Sequence, residues 1–391
     1  MKTIVPKISS SLSKMWNKVL TLNNSLFPAL KEELRLEELS HKEQKLISIL
    51  DFAQIEKNIT VVSITNTPKD REEIARAFIA KSVYNFQTTR DLIDRLHCDR
   101  VLRIVCGWRY KNDIPSESKF SRVFKELSEM QIDQKAHEQI VKEYISDKTF
   151  FYNAIDSTKI PLRQKPVKIK KEKPKLKKRG RPKKGEIREP IRPTILEQQQ
   201  EMQSVEEKLT LVSTDCGVGI KQNSKGNREI WIGAKLHISA VDGDIPITAF
   251  YSGANVHDSS VALPLMQETS KRVNYLYDLQ DAGYDADIIR EFSTTLGHRP
   301  IIDTNPKNSK ELKAKIELIE HENKTFKYLN WHLNCDEQHY KQRSMVERVN
   351  KYLKDDFGCD KIYYQGATKV ASVLAFGILS ICIHKSLQLV T

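Results

Sequence analysis

Apolar positions change their period once along this chain. Up to about residue 148 they recur at helical spacing. Leu30 to Ile55 is rich in Leu, Glu and Lys. Ile74, Phe78, Ile79 and Val83 mark one face of a helix over 72–86, and Leu92, Ile93, Leu96, Val101, Leu102 and Val105 mark a second over 90–106. Gly107-Trp108 breaks that run. Pro115-Ser116-Glu117-Ser118 then opens a third helix through Phe120, Phe124 and Leu127. Two short helices in sequence fit a helix-turn-helix, with Lys119, Arg122 and Lys125 as its DNA contacts, or a plain helical bundle.

From residue 150 the pattern becomes that of strands. Phe150 to Thr158 is the first, and Glu229 to Val241 alternates and turns at Asp242-Gly243-Asp244. Ile245 to Tyr251 returns as an antiparallel partner. Asn255-Val256-His257-Asp258 caps a helix that runs to about Lys271. Val273 to Leu279, a helix over Ala286 to Leu296, and Arg299 to Asp303 follow as strand, helix, strand. The pattern therefore predicts a mixed five-stranded sheet with helices packed on it, preceded by an all-helical region. It divides the chain into a helical segment (1–60), a helical DNA-binding unit (61–148) and an α/β unit (149–391) that segment 163–210 interrupts.

The charge explains that interruption. The net charge is +13 over 391 residues, and the stretch from Arg163 to Arg192 holds fifteen Lys or Arg against three Glu. Prolines 166, 174, 182, 190 and 193 lie in or beside it. A like-charged, Pro-rich segment cannot collapse into a core, and it is an electrostatic footprint for nucleic acid. Within it, Arg179-Gly180-Arg181-Pro182 resembles an AT-hook, in which Gly lies deep in a narrow A·T-rich minor groove and two Arg follow the groove floor. Six scattered cysteines without a Cys-x-x-Cys pair favour a reducing compartment over a disulfide framework. His332, Cys335 and His339 offer zinc only a weak motif. No secretory leader is expected, and the apolar run Val370 to Ile383 is shorter than a membrane span, which favours a buried helix.

The candidate chemistry sits in Tyr340-x2-Arg343-x3-Glu347-x6-Lys354. On ideal helix geometry these four share a stripe about 60° wide, while Met345, Val346, Val349, Tyr352 and Leu353 take the other face. A carboxylate flanked by cations suits a metal-bound, phosphate-bearing substrate, and it also fits an ordinary solvated helix face. Asp156 ends the first strand and Asp281 the fourth. Strand ends converge, so these two acids and Glu347 can meet around one site, as two-metal phosphoryl transfer requires. Asp278, Asp285, Asp287 and Asp303 are neighbouring acids with strand or capping roles open to them.

Asp156-Ser157-Thr158, Asp281-x-Gly283-Tyr284 and the full Tyr340-to-Lys354 signature resemble those of bacterial insertion-sequence DDE transposases, as do Trp231-x-Gly233-x-Lys235-x-His237 and Asn255-x-His257-Asp258. The resemblance covers about 150–355. It implies an RNase H-like α/β core, with Asp156, Asp281 and Glu347 holding two Mg²⁺ or Mn²⁺ ions. It implies that Arg343 and Lys354 clamp phosphates and that Tyr340 packs on the flanking backbone. The expected partner is double-stranded DNA, namely element ends and target, bound by a homodimer or larger assembly. The expected location is the cytoplasm, at the nucleoid of a bacterium, with no membrane role. A catalytically inactive DNA-binding derivative and a structure-specific nuclease on the same core are the alternatives.

Overall fold

The computed structural model describes residues 39–59, 69–167, 193–222, 226–306, 310–325 and 335–389. Arg179, Gly180, Arg181 and Pro182 of the AT-hook-like motif lie outside them, as does His332.

Among the described residues six α-helices come first: α1 (His41–Ala53), α2 (Arg71–Val83), α3 (Thr89–Cys98), α4 (Arg100–Cys106), α5 (Glu117–Met130) and α6 (Ile132–Tyr144). The helix expected over 90–106 is two, because Asp99 adopts an extended backbone and its carboxylate caps Leu102 N–H at 3.0 Å. The link from α4 to α5 spans residues 107–116 and contains a short 3-10 turn, so it is longer than the tight connection of the expected helix-turn-helix. Lys119 is ion-paired with Asp70, and Lys125 reaches Glu129 at 3.7 Å.

Among the described residues the sheet has six strands: β1 (Thr149–Pro161), β2 (Gly217–Gln222), β3 (Arg228–Val241), β4 (Ile245–Gly253), β5 (Asn274–Gln280) and β6 (Arg299–Ile302). Their order is β2-β3-β1-β5-β6, and β4 also pairs with β3. β1 runs antiparallel to β3 and parallel to β5, so the sheet is mixed, as the pattern predicts. The sixth strand, β2, pairs with the start of β3, Val218 opposite Ile232 and Ile220 opposite Ile230. It escaped the sequence pattern because all four of these aliphatic side chains remain exposed, so no buried face marks the strand.

Helices α7 (Ile195–Glu201) and α8 (Val205–Thr210) begin under Thr194 and Ser204 capping boxes. The interrupting segment is therefore helical in its last third. Helices α9 (Ala262–Arg272) and α10 (Asp287–Thr295) pack with Ile155 and Tyr284 on one face of the sheet. After β6 come α11 (Lys310–Thr325), α12 (Cys335–Tyr340), a 3-10 turn (Lys341–Arg343), α13 (Ser344–Asp355) and α14 (Ala367–Gln388). The long helix α14 packs against α1, α2, α5, α6, α13 and β4. Its 22 residues are long and apolar enough to cross a membrane, longer than the sequence run suggested, yet most of them are buried inside the fold. One hydrophobic core runs without a break from Leu39 in the first helices through Ala154 and Leu236 to Ile383.

That core sets the position of α13. Met345, Val346, Val349 and Leu353 are buried against it. Gly377 of α14 lets the two helices approach, since a Cβ there would lie 2.7 Å from Leu353 Cδ1 and 2.9 Å from Cys359 Sγ. Arg348 then fixes the helix to the β3–β4 turn, with Nη2 and Nε donating to Asp244 at 2.7 and 2.9–3.0 Å.

Candidate active site

Asp156 and Asp281 reach one place because β1 and β5 are parallel neighbours. Their register pairs Ile155 with Gln280, and each aspartate is the next residue. Asp156 is still in its strand, whereas β5 ends at Gln280 and Asp281 caps a 3-10 turn by accepting from Gly283 N–H at 2.9 Å. Glycine suits that turn, since a Cβ on residue 283 would stand only 3.0 Å from the Asp281 carboxylate.

Helix α13 packs on β1 and β3, and the 3-10 turn before it contacts both β1 and β5. Arg343, in the 3-10 turn before it, donates to Glu347 through Nη2, and its Nη1 stands 4.0 Å from Asp156 Oδ1. The guanidinium also sits over the Tyr340 ring, 5.8 Å from its centroid. The expected stripe is thus present, with a 3-10 turn between Tyr340 and Glu347 in place of one uninterrupted α-helix. Asn350 donates from Nδ2 to Asp156 Oδ2 at 3.0 Å. Sequence reasoning missed this residue, although Arg343, Glu347, Asn350 and Lys354 are spaced four, three and four apart and so share one face.

Burial pushes the Asp156 carboxyl up to about 6; Arg343 opposes this and the nearby Asp281 adds to it. Burial lowers Lys354, and the neighbouring Lys159 and Lys221 lower it further.

On the other face of β1, a second set of charges supports the strand. Lys235 Nζ donates to Asp258 Oδ1 and to the Val256 carbonyl, both at 2.9 Å. Burial alone would raise the Asp258 carboxyl, but Lys235, His237 and a Ser157 hydrogen bond hold it below its ordinary value. His237 is buried and pushed down to about 4 by burial, with Nε2 against Ser252 Oγ at 2.8 Å. The motif residues Lys235, His237 and Asp258 are thus one group behind Ser157, next to Asp156 in sequence. The neighbouring acids separate cleanly. Asp278 is buried and accepts from Ser293 Oγ at 2.6 Å and Asn153 Nδ2 at 2.9 Å. Asp285 pairs with Arg290 at 2.8 Å.

Hard carboxylate oxygens are the donor type that Mg²⁺ and Mn²⁺ take. Asn350 Oδ1 adds a buried amide oxygen with no hydrogen-bond partner among the described residues, on the same amide whose Nδ2 is 3.0 Å from Asp156. No three His, Cys, Asp or Glu side chains stand together as a metal site among the described residues. The reason is local, since Glu347 is turned onto Arg343 and its side chain is 53% exposed. His339, of the weak zinc motif, faces Tyr152, its Nδ1 2.7 Å from the phenol oxygen, and stacks on Tyr277.

A mixed sheet flanked by helices, with Asp156 within one strand and Asp281 just past the end of its parallel neighbour, is consistent with an RNase H-like DDE core. Residues 153–383 match the family model described as Transposase DDE domain, which is more than half of the chain, and residues 32–126 match Transposase domain (DUF772). The chain belongs to the DDE transposase family. A search of curated proteins gave no match. Members of this family act on DNA and normally use divalent metals.

Proposed function

We propose that this transposase cuts DNA at the ends of its own mobile element and joins the freed 3′-OH ends to target DNA. The observation that supports this reading is that Asp156 and Asp281 follow a register pair of the parallel strands β1 and β5, with Asn350 of α13 bonded to Asp156 and Arg343 between Asp156 and Glu347. In this reading Asp156, Asp281 and Glu347 hold two Mg²⁺ or Mn²⁺ ions. Bound there, the ions would supply a nucleophile at neutral pH and stabilise the leaving oxygen.

The remaining steps belong to the chain's own groups. Asn350 orients the Asp156 carboxylate. Arg343 neutralises the carboxylates while no phosphate is present and clamps a phosphate when DNA arrives, with Tyr340 beneath its guanidinium. Lys354 holds a second phosphate further along α13. The helical region 61–148 and the basic segment with Arg179, Gly180, Arg181 and Pro182 bind the flanking duplex, the latter through an A·T-rich minor groove. An assembly of two or more copies at the nucleoid brings two ends together.

The test is a cleavage and joining assay on labelled DNA carrying the gene's flanking ends, with Mg²⁺ or Mn²⁺, comparing wild type with Glu347→Gln. Cuts and joined products that the variant lacks support the proposal. Cuts without joining would instead make it a nuclease. Tight binding without cuts in either metal would make it a DNA-binding derivative.

A further inference from the structure

Three lysines from three separate elements lie within electrostatic range of one another, and two of them, Lys221 and Lys354, are also within range of Asp156. Lys159 stands three residues beyond it on β1, Lys354 lies two turns beyond Glu347 on α13, and Lys221 lies on β2. Lys221 stands directly opposite Glu229 in the β2–β3 register, and Lys159 donates to the same Glu229 carboxylate. Of the three, Lys159 alone is paired among the described residues. Neither Lys221 nor half-buried Lys354 makes an ion pair with a described residue, although Asp360 and Asp156 stand within electrostatic range of Lys354. Glu229 feels all three lysines, Lys159 most strongly, and is held below its ordinary value.

Folding brings these like charges together and leaves two of them without a salt-bridge partner among the described residues. Such an arrangement repels itself in the free protein and is relieved by a polyanion. In the β2–β3 ribbon that carries Lys221, residues 228–232 of β3 lie beyond its register with β1, which ends at Gly233 opposite Pro161, and the aliphatic side chains Val218, Ile220, Ile230 and Ile232 stay exposed. Its placement therefore calls for a role outside the core.

We propose that the β2–β3 ribbon is a second arm of the substrate site, and that Lys159 and Lys221 join Lys354 in a seat for the phosphodiester backbone of a DNA strand passing Asp156. This rests on the reading of the site as one that acts on DNA. The seat holds DNA without reading its sequence, because ammonium groups on flexible stems contact phosphates as point charges. Glu229 holds Lys159 in position until a phosphate competes for it.

The test uses the full chain and a fluorescent 30-base-pair duplex of arbitrary sequence in EDTA, with affinity followed from low to moderate salt. The Lys159→Gln/Lys221→Gln double variant should bind at least about ten-fold more weakly at low salt. Its log–log salt slope should shrink by about 1.8, near 0.9 for each phosphate that is no longer neutralised. Glu229→Gln should bind more tightly than wild type. Lys159→Arg/Lys221→Arg should restore the slope, which a merely structural role would not predict. A double Gln variant with wild-type slope and melting temperature overturns the seat, as does a weakening that arginine fails to rescue. Because this readout needs no chemistry, it separates from the cleavage assay. A reduced slope in a protein that never cuts keeps the seat and removes the nuclease chemistry, and the converse result does the reverse.

Discussion

Asp278 and Asp281 stand three residues apart at the end of β5, yet their surroundings differ in every respect that matters to a carboxylate. Asp278 is fully buried, bonded to Ser293 and Asn153, and pushed up in pKa by burial first, with those hydrogen bonds opposing. The network continues from Asn153 to Ser239 Oγ at 2.5 Å and from Ser239 to Thr269 at 2.9 Å, tying β1, β3, β5 and α9 together. Asp281 has left the ladder, keeps one turn contact and stands partly open to solvent beside Asp156. A carboxylate whose oxygens are consumed by internal donors is part of the scaffold. One held at a strand end with oxygen lone pairs to spare is available for chemistry.

The comparison breaks most sharply under substitution. Glu347→Gln and Asp156→Asn should each lower DNA cleavage by about 10³-fold or more, roughly 4 kcal/mol of transition-state stabilisation. Each should still fold and bind DNA, which single-turnover cleavage and anisotropy would check. Asp278→Ala should do the opposite. It strands the Ser293 and Asn153 donors in the core and should cost about 3 kcal/mol of stability, read as a lower midpoint in urea. A folded, fully stable Asp278→Ala protein would refute its scaffold role.

A titration sharpens the contrast for Asp156. Its folded pKa of about 6 lies above the ordinary value of 3.8, so between these values the folded chain keeps a proton that the unfolded chain has lost. The stability this group contributes is full below pH 3.8 and is lost as pH rises through about 6, by at most about 3 kcal/mol. Without metal, the wild-type stability curve should therefore fall relative to that of Asp156→Asn across this window. Parallel curves would contradict it. The Asp278 contribution stays in both curves and cancels. The smallest effect is expected at Asn350. Asn350→Ala should slow cleavage about 10- to 100-fold by freeing Asp156, with a higher metal requirement than wild type and a stability change below about 1 kcal/mol. An unaltered metal titration would reduce Asn350 to packing.

The sequence carried the helical block, the order of five strands and the α13 stripe, because each is written in local periodicity. It also carried Asp156, Asp281 and Glu347 as candidates through their strand and helix-face positions, although β1 runs on to Pro161 and Asp156 lies within it, not at its end. It did not reveal β2, whose aliphatic face meets solvent, nor the break at Asp99, where a capping carboxylate outweighs continuing apolar spacing. Helices α7 and α8 were hidden for a different reason. They adjoin the basic segment, and its composition was extended over them, although Thr194 with Glu197 and Ser204 with Glu207 carry the spacing of capping boxes.

What the sequence by itself determined was which residues carry charge and oxygen, and which local element presents them. Only the tertiary structure decided which of them meet. Parallel pairing of β1 and β5 places Asp156 beside Asp281 across 125 residues of chain. Packing of α13 on the shared core turns Arg343 and Asn350 onto Asp156, and the β2–β3 register sets Lys221 opposite Glu229, the acid that Lys159 pairs with. These are non-local contacts, set by strand register and helix packing, and no single window of the sequence contains both partners.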